Sequence, residues 1–190
     1  MIRFPFAGLL ALLVVPQFSL AQTENLRCPS ALLTQPFEVV EMEAMDVEAA
    51  WERAEKLAEE SGQYLYGVVQ DQTEDLAPTA FTDRHAVAVH LPAAAGLALH
   101  FSDFHLPAGA QLWVTDLTGS WQEGPYDFRD NDHHGRIATG DVPGEWAVLR
   151  LSAPAHLMPG VRLTMEGAAA LFRDVEAVRG GSQPCEVDVA

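Results

Sequence analysis

Lysine is almost missing from this sequence. Its 190 residues hold one, Lys56, among only 11 Lys+Arg, against 27 Asp+Glu, for a formal net charge of −16. So few bases exclude nucleic acid and anionic membranes as partners, because binding there requires phosphates to be neutralised. Cysteine is nearly as scarce, with only Cys28 and Cys185, one near each end. A nucleophilic serine on a tight Gly-rich turn is missing too. No G-x-S-x-G or G-D-S-G-G occurs, and Ser30, Ser61, Ser102, Ser120, Ser152 and Ser182 all lack that context. Ala155-His156 has no following cysteine and no serine partner, and is read as a loop histidine. None of the seven histidines stands in H-E-x-x-H or at zinc-type cysteine spacing. No active site emerges, and the chain is expected not to be an enzyme as given.

What is present begins with an export address. Arg3 supplies a short positive start, Phe4 to Val15 an apolar stretch, Pro16 a break, and Ser19-Leu20-Ala21 the small residues of a cleavage site. The stretch is short for a bilayer span, which needs about 20 residues. Cleavage is expected between Ala21 and Gln22, giving a secreted or periplasmic protein with no membrane attachment after cleavage. Export permits a disulfide, and Cys28 and Cys185 are the candidates.

The mature chain changes period once. Residues 38–60 carry nine acidic residues against Arg53 and Lys56. Asp46 can cap a helix in which Val47, Ala50, Trp51, Ala54, Leu57 and Ala58 recur at helical spacing, Glu52-Lys56 forms an i,i+4 pair, and Gly62 ends the run. From Tyr64 the period is two. Strands are expected at Tyr64–Gln70, at His85–Leu91, around Leu97, Leu99 and Phe101, around Leu112 and Val114, at Trp146–Leu149 and at Val161–Met165. Gly/Pro pairs such as Gly124-Pro125 and Pro159-Gly160 punctuate them. The pattern predicts a mainly β chain: an antiparallel β-sandwich, jelly-roll-like, preceded by one short amphipathic helix. The expected divisions are a signal peptide (1–21), a polar leader with the acidic helix (22–62), the sandwich (63–177) and a closing stretch (178–190) made of a linker and the start of a further domain.

Three groups could bind something. Asp127, Asp130, Asn131 and Asp132 place hard oxygens in one loop, suited to a structural Ca²⁺ or else to a solvated turn; no other cofactor is implied. Trp113, Trp121 and Tyr126 could form an aromatic platform for glycan. Trp113 is out of phase with Leu112 and Val114, so an outward Trp113 would need a partner: sugar, the helix around Trp51, or another domain. His90 and His100 could be brought together on neighbouring strands, or simply lie exposed on the polar face.

Residues 97–114 read L-A-L-H-F-S-D-F-H-L-P-A-G-A-Q-L-W-V. This stretch resembles the N-terminal pro-region of secreted bacterial trypsin-like serine endopeptidases of the lysyl endopeptidase type, with the pattern L-x-L-x-F-x-x-F-x-L-P-x-G-A-x-L-W-V. Gly124-Pro125 and Gly140-Asp141 stand where that family has a Gly-Pro turn and a G-D element, and Cys185-Glu186-Val187-Asp188-Val189 is similar to its C-x-V-D-V start of the mature protease. The resemblance implies an exported pre-pro segment that assists folding of a cognate trypsin-like catalytic domain or blocks it until processed. Arg179, Gly180, Gly181, Ser182, Gln183 and Pro184 would form the processing linker, and Cys185 would pair with a cysteine of the catalytic domain. The alternative is a stand-alone secreted β-sandwich that binds glycan or a cell-surface partner.

Overall fold

The computed structural model describes residues 27–80 and 82–173. The expected export segment with Ala21 and Gln22, the expected linker Arg179–Pro184 and Cys185 lie outside the described residues. The architecture is mainly β, with two sheets face to face, as the period-two stretches predict. One sheet runs β1 (Glu38–Glu41), β3 (Arg84–His90), β9 (Trp146–Ser152), β5 (Gln111–Thr115), β6 (Gln122–Tyr126). The other runs β2 (Gly67–Asp75), β10 (Arg162–Leu171), β4 (Gly96–His105), β7 (Ile137–Ala138), with β8 (Val142–Pro143) also paired to β4. Pairing is antiparallel except where β1 lies parallel to β3.

The core is the space between the sheets. Val87, Val89, Leu112, Val114, Leu149 and Leu151 come from the first sheet, and Leu97, Leu99, Phe101, Leu163, Met165 and Ala168 from the second. Alternation sends every second side chain of a strand to this side, and each fully buried Leu contributes roughly 2 kcal/mol. The amphipathic helix is α2 (Val47–Ser61). The Asp46 carboxylate accepts from the Ala49 N–H at 2.9 Å, and Gly62 closes the helix in the left-handed conformation, φ 67°. Lys56 reaches Glu60 at 3.9 Å, not Glu52; it has an acid one turn away on either side, and the ammonium takes the C-terminal one.

The sequence places residues 22–62 ahead of the sandwich. In the structure, the described part of that region belongs to it. Glu38–Glu41 adds a fifth strand to the first sheet, and Met42 and Met45 enter the core. Residues 27–35, including the one-turn α1 (Ser30–Leu33), cover the outer face of the same sheet. That face carries Trp113 and, opposite it, Arg150. Both are buried, at 2% and 1% exposure, with Cys28 and Leu32 over Trp113. The Arg150 guanidinium donates to the Leu32 carbonyl at 2.7 Å and to Thr115 Oγ1 at 3.0 Å. Burial pulls Arg150 below its ordinary pKa, while Cys28 and Asp116 act in the other direction. Burial also pushes the Cys28 thiol up, opposed by the Arg150 charge. The Cys28 N–H donates to Gln122 Oε1 at 2.8 Å.

The β5–β6 turn sits under the same cover. Gly119 has φ +75°, and a Cβ there would meet Leu33 Cδ2 at 2.7 Å. Asp116 organises this turn, accepting from Thr118 Oγ1 at 2.8 Å, Ser120 Oγ at 2.6 Å and the Trp121 N–H at 3.3 Å. Burial alone would raise its carboxyl, but these bonds outweigh it and hold the pKa below the usual carboxylate range.

Two outcomes follow. Arg150→Ala should cost about 3 kcal/mol, because it leaves a void and unsatisfied acceptors. It should also release residues 27–35, read as a red shift of Trp113 emission and faster iodide quenching; Arg150→Met, which keeps the volume, should lose less stability. For Asp116, the folded pKa is depressed, so its contribution is complete above the unfolded value of about 3.9 and is lost as pH falls through the folded one. Asp116→Asn should therefore flatten the stability-versus-pH curve below about pH 4 in denaturant titrations.

Candidate functional site

The chain gathers aromatic side chains where α2, the lead-in to β2 and the end of β10 meet. Gly62 stops the helix, the chain passes through Tyr64 and Tyr66, and β2 begins at Gly67. β10 ends at Leu171, and the Phe172 N–H donates to the Tyr66 carbonyl at 3.1 Å. Trp51, on the shoulder of the helix face that buries Ala50 and Ala54, meets Phe172 edge-on at 5.2 Å. The Arg173 guanidinium lies 4.3 Å from the ring centres of both Trp51 and Tyr64 and donates to the Tyr64 hydroxyl. Cation–π contacts of this kind contribute about 1 kcal/mol each. Tyr64 and Tyr66 nevertheless remain 63% and 54% exposed. This patch presents aromatic rings, two phenolic hydroxyls and one guanidinium. What it offers is apolar area with polar tips, the composition that protein interfaces favour.

The aromatics expected from the sequence are elsewhere. Trp113 points outward from its sheet as its phase predicts, but it is buried under residues 27–35, so neither sugar nor the Trp51 helix covers it. Trp121 and Tyr126 are half-buried against the main core. Burial, with Glu123 beside it, pushes the Tyr126 phenol well up from its ordinary value. Together the three form no exposed platform.

In the 127–132 loop the oxygens take protein donors. Asp127 accepts from the Arg129 N–H at 2.8 Å and is clamped by its guanidinium, whose bonding holds the carboxyl low. Asp130 accepts from the Asp127 N–H at 2.6 Å, and Asp132 from those of His133 and His134 at 2.8 and 3.3 Å. Asn131 brackets Leu106, accepting from its N–H at 2.8 Å and donating to its carbonyl at 2.9 Å. Among the described residues, no group of three or more His, Cys, Asp or Glu side chains is placed to hold a metal ion.

His90 and His100 are not neighbours, because β3 and β4 belong to different sheets. His90 stacks on Trp146 with centroids 3.9 Å apart and lies between Glu41 Oε2 at 2.7 Å and Glu145 Oε2 at 3.5 Å. His100 lines an open groove of about 290 Å³ on the second sheet, beside Arg136 and Glu166, which pair at 3.7 Å. Cys28 is a buried thiol, and its candidate partner Cys185 lies outside the described residues.

The sequence pattern passed over Arg150, Tyr64 and Arg173. A lone Arg between Leu149 and Leu151 in an otherwise apolar strand was the available signal for Arg150. Nothing local pairs Arg173 with Trp51, more than a hundred positions earlier.

The 97–114 motif, by contrast, is internal. Leu97, Leu99, Phe101, Phe104, Leu106, Ala110, Leu112, Trp113 and Val114 are all buried. They span β4, the Pro107–Ala110 turn and β5, where the chain crosses from one sheet to the other. The motif thus encodes a corner of the sandwich, and Asn131 fastens it from the neighbouring loop.

No protein-family model matches the chain, and no curated protein sequence matches it. Among solved structures it is similar to PliG of Aeromonas hydrophila, a periplasmic inhibitor of g-type lysozyme, at 11% identity over 72% of this chain and 99% of that one, with a TM-score of 0.27. Among the described residues, no helix is long and apolar enough to cross a membrane.

Asn131→Ala should leave both the Leu106 N–H and its carbonyl unpaired. A loss of about 2 kcal/mol is expected in denaturant unfolding, with faster amide exchange at Leu106.

Proposed function

We propose that this chain is the non-catalytic N-terminal pro or accessory domain of an exported trypsin-like serine endopeptidase. The observation that carries this is the 97–114 motif: the Leu, Phe, Ala, Trp and Val positions it shares with that family's pro-region are buried at one corner of the fold, with Pro107 and Gly109 at the surface turn between them. The resemblance therefore falls on residues that shape the body of the domain. The export-type start at residues 1–21 and the C-x-V-D-V tail at 185–189 support the same reading. The chain brings a stable surface rather than chemistry. Binding the native form of the protease lowers its free energy relative to unfolded forms, and a bound domain also obstructs the substrate groove until the linker is cut. The acidic surface adds long-range attraction toward a basic partner.

The test begins with the DNA after codon 190. A continuing frame that encodes a trypsin-like triad is expected, and a stop codon overturns the proposal. The encoded catalytic domain should then be expressed with and without residues 22–184 supplied in trans. The active yield should rise at least tenfold when they are present, and an unchanged yield removes the chaperone role.

A further inference from the structure

The two sheets end differently on the side where β1 and β2 lie. β1 is four residues long. β2 is nine residues long, and among the described residues no strand pairs with its outer side. The Tyr66 carbonyl is turned toward Phe172 of the strand leading out of β10, so Gly67 and Val69, out of phase with it, turn their N–H and C=O groups outward. Natural edges of this length are usually blunted by charge, proline, a bulge or a cover; in β2 the charges sit at Asp71, Glu74 and Asp75, and the Gly67–Gln70 half carries neither charge nor Pro. Its first half is regular; the irregularity in its pairing with β10 falls opposite Asp71–Glu74. The strand is entered through the exposed Tyr64 and Tyr66, while Val69 is exposed on the strand itself.

Charge selects the occupant. Asp71, Thr73 and Asp75 are exposed along β2, with Glu74 between them half-buried. Gln72 donates to the Glu41 carbonyl, which brings the acidic end of β1 alongside. Arg173 is held by Trp51 and Tyr64 and Lys56 pairs with Glu60, so neither neutralises the carboxylates of β2. Two copies paired through β2 would set acids against acids, which is unfavourable across strands. An extended segment rich in Lys or Arg would instead meet backbone partners, carboxylates and aromatic area together.

We infer that the free edge of β2, with Tyr64 and Tyr66 at its entrance, receives an extended basic segment of the partner by strand addition. This rests on the proposed function, which makes the partner the protease domain. The first probe is a blocked octapeptide of alternating Lys and Val, with its Glu-Val counterpart as control, read by amide exchange of the intact chain. The basic peptide should slow exchange at Gly67 and Val69 about tenfold or more, and the acidic peptide should not. Val69→Pro, which removes an outward N–H at a position where an edge strand tolerates proline, should abolish the effect while leaving the melting temperature nearly unchanged. If that variant fails to fold, Asp71→Lys with Asp75→Lys serves instead and should reverse the peptide preference. Equal response to both peptides, protection at other sites, or concentration-dependent protection without peptide, meaning self-pairing, would overturn the inference. In the folding assay in trans, a Val69→Pro chain that still restores full activity overturns the edge while leaving the pro-domain role intact. An assay in which residues 22–184 are never needed removes the role, and the peptide result then judges the edge by itself.

Discussion

A buried cation holds the first sheet's cover in place. Arg150 sits mid-strand between two core leucines, on the face turned away from the core, where a charge normally meets water. Instead it reaches a backbone carbonyl of a separate segment and a threonine of the adjacent strand. Leaving a guanidinium dry is costly unless its donors are used. The two bonds therefore couple the placement of residues 27–35 to the registry of β5 and β9. With the cover seated, Trp113, Leu32 and Cys28 form a second, smaller hydrophobic cluster. Among the described residues the first sheet thereby becomes a middle layer, while the second sheet has an open groove on its outer face beside His100 and Glu166.

This layering changes what the family-like motif means. A motif found in sequence invites a search for a site, yet here its apolar positions are interior and its Pro-x-Gly is the tight connection between sheets. Asn131 stands among the carboxylates of Asp127, Asp130 and Asp132, the oxygen set suited to a structural Ca²⁺. Its geometry is that of a bracket, with both ends of its amide on one backbone residue. Asn131 holds the corner in shape, while the three carboxylates accept from N–H groups of their own loop.

Much of the fold was legible. α2 showed its cap, its apolar face and its terminal glycine, and β3, β4, β5, β9 and β10 showed their alternation because one face of each is packed into the core. β1 was hidden because acids flank its two valines. β6 was hidden because Gly124-Pro125 reads as a turn; in the structure it lies in an edge strand, where a missing N–H costs no ladder bond. There Gly124 is required at φ +109°, since a Cβ would meet the Leu112 carbonyl at 2.7 Å. β2 begins later than the apolar pattern suggests, because Tyr64 is drawn to Arg173, and it continues through polar residues that pair with β10. The candidate site was less legible. Periodicity gives the face of a strand but not its sheet, so His90 and His100 looked adjacent. Contacts such as Arg173 with Trp51 depend on tertiary return of the chain.

The scarcity of lysine has a practical side. Lys56 projects from α2 with 72% of its side chain exposed and only a surface ion pair to Glu60. Apart from an α-amino group, it is the single primary amine of these 190 residues. Amine-directed coupling would therefore meet at most two groups, and only at the higher pH that deprotonates the Lys56 side chain would it attach a bead or a dye at this point on the helix. A cross-linker anchored there would act as a ruler of known origin, measuring outward from one point on one helix.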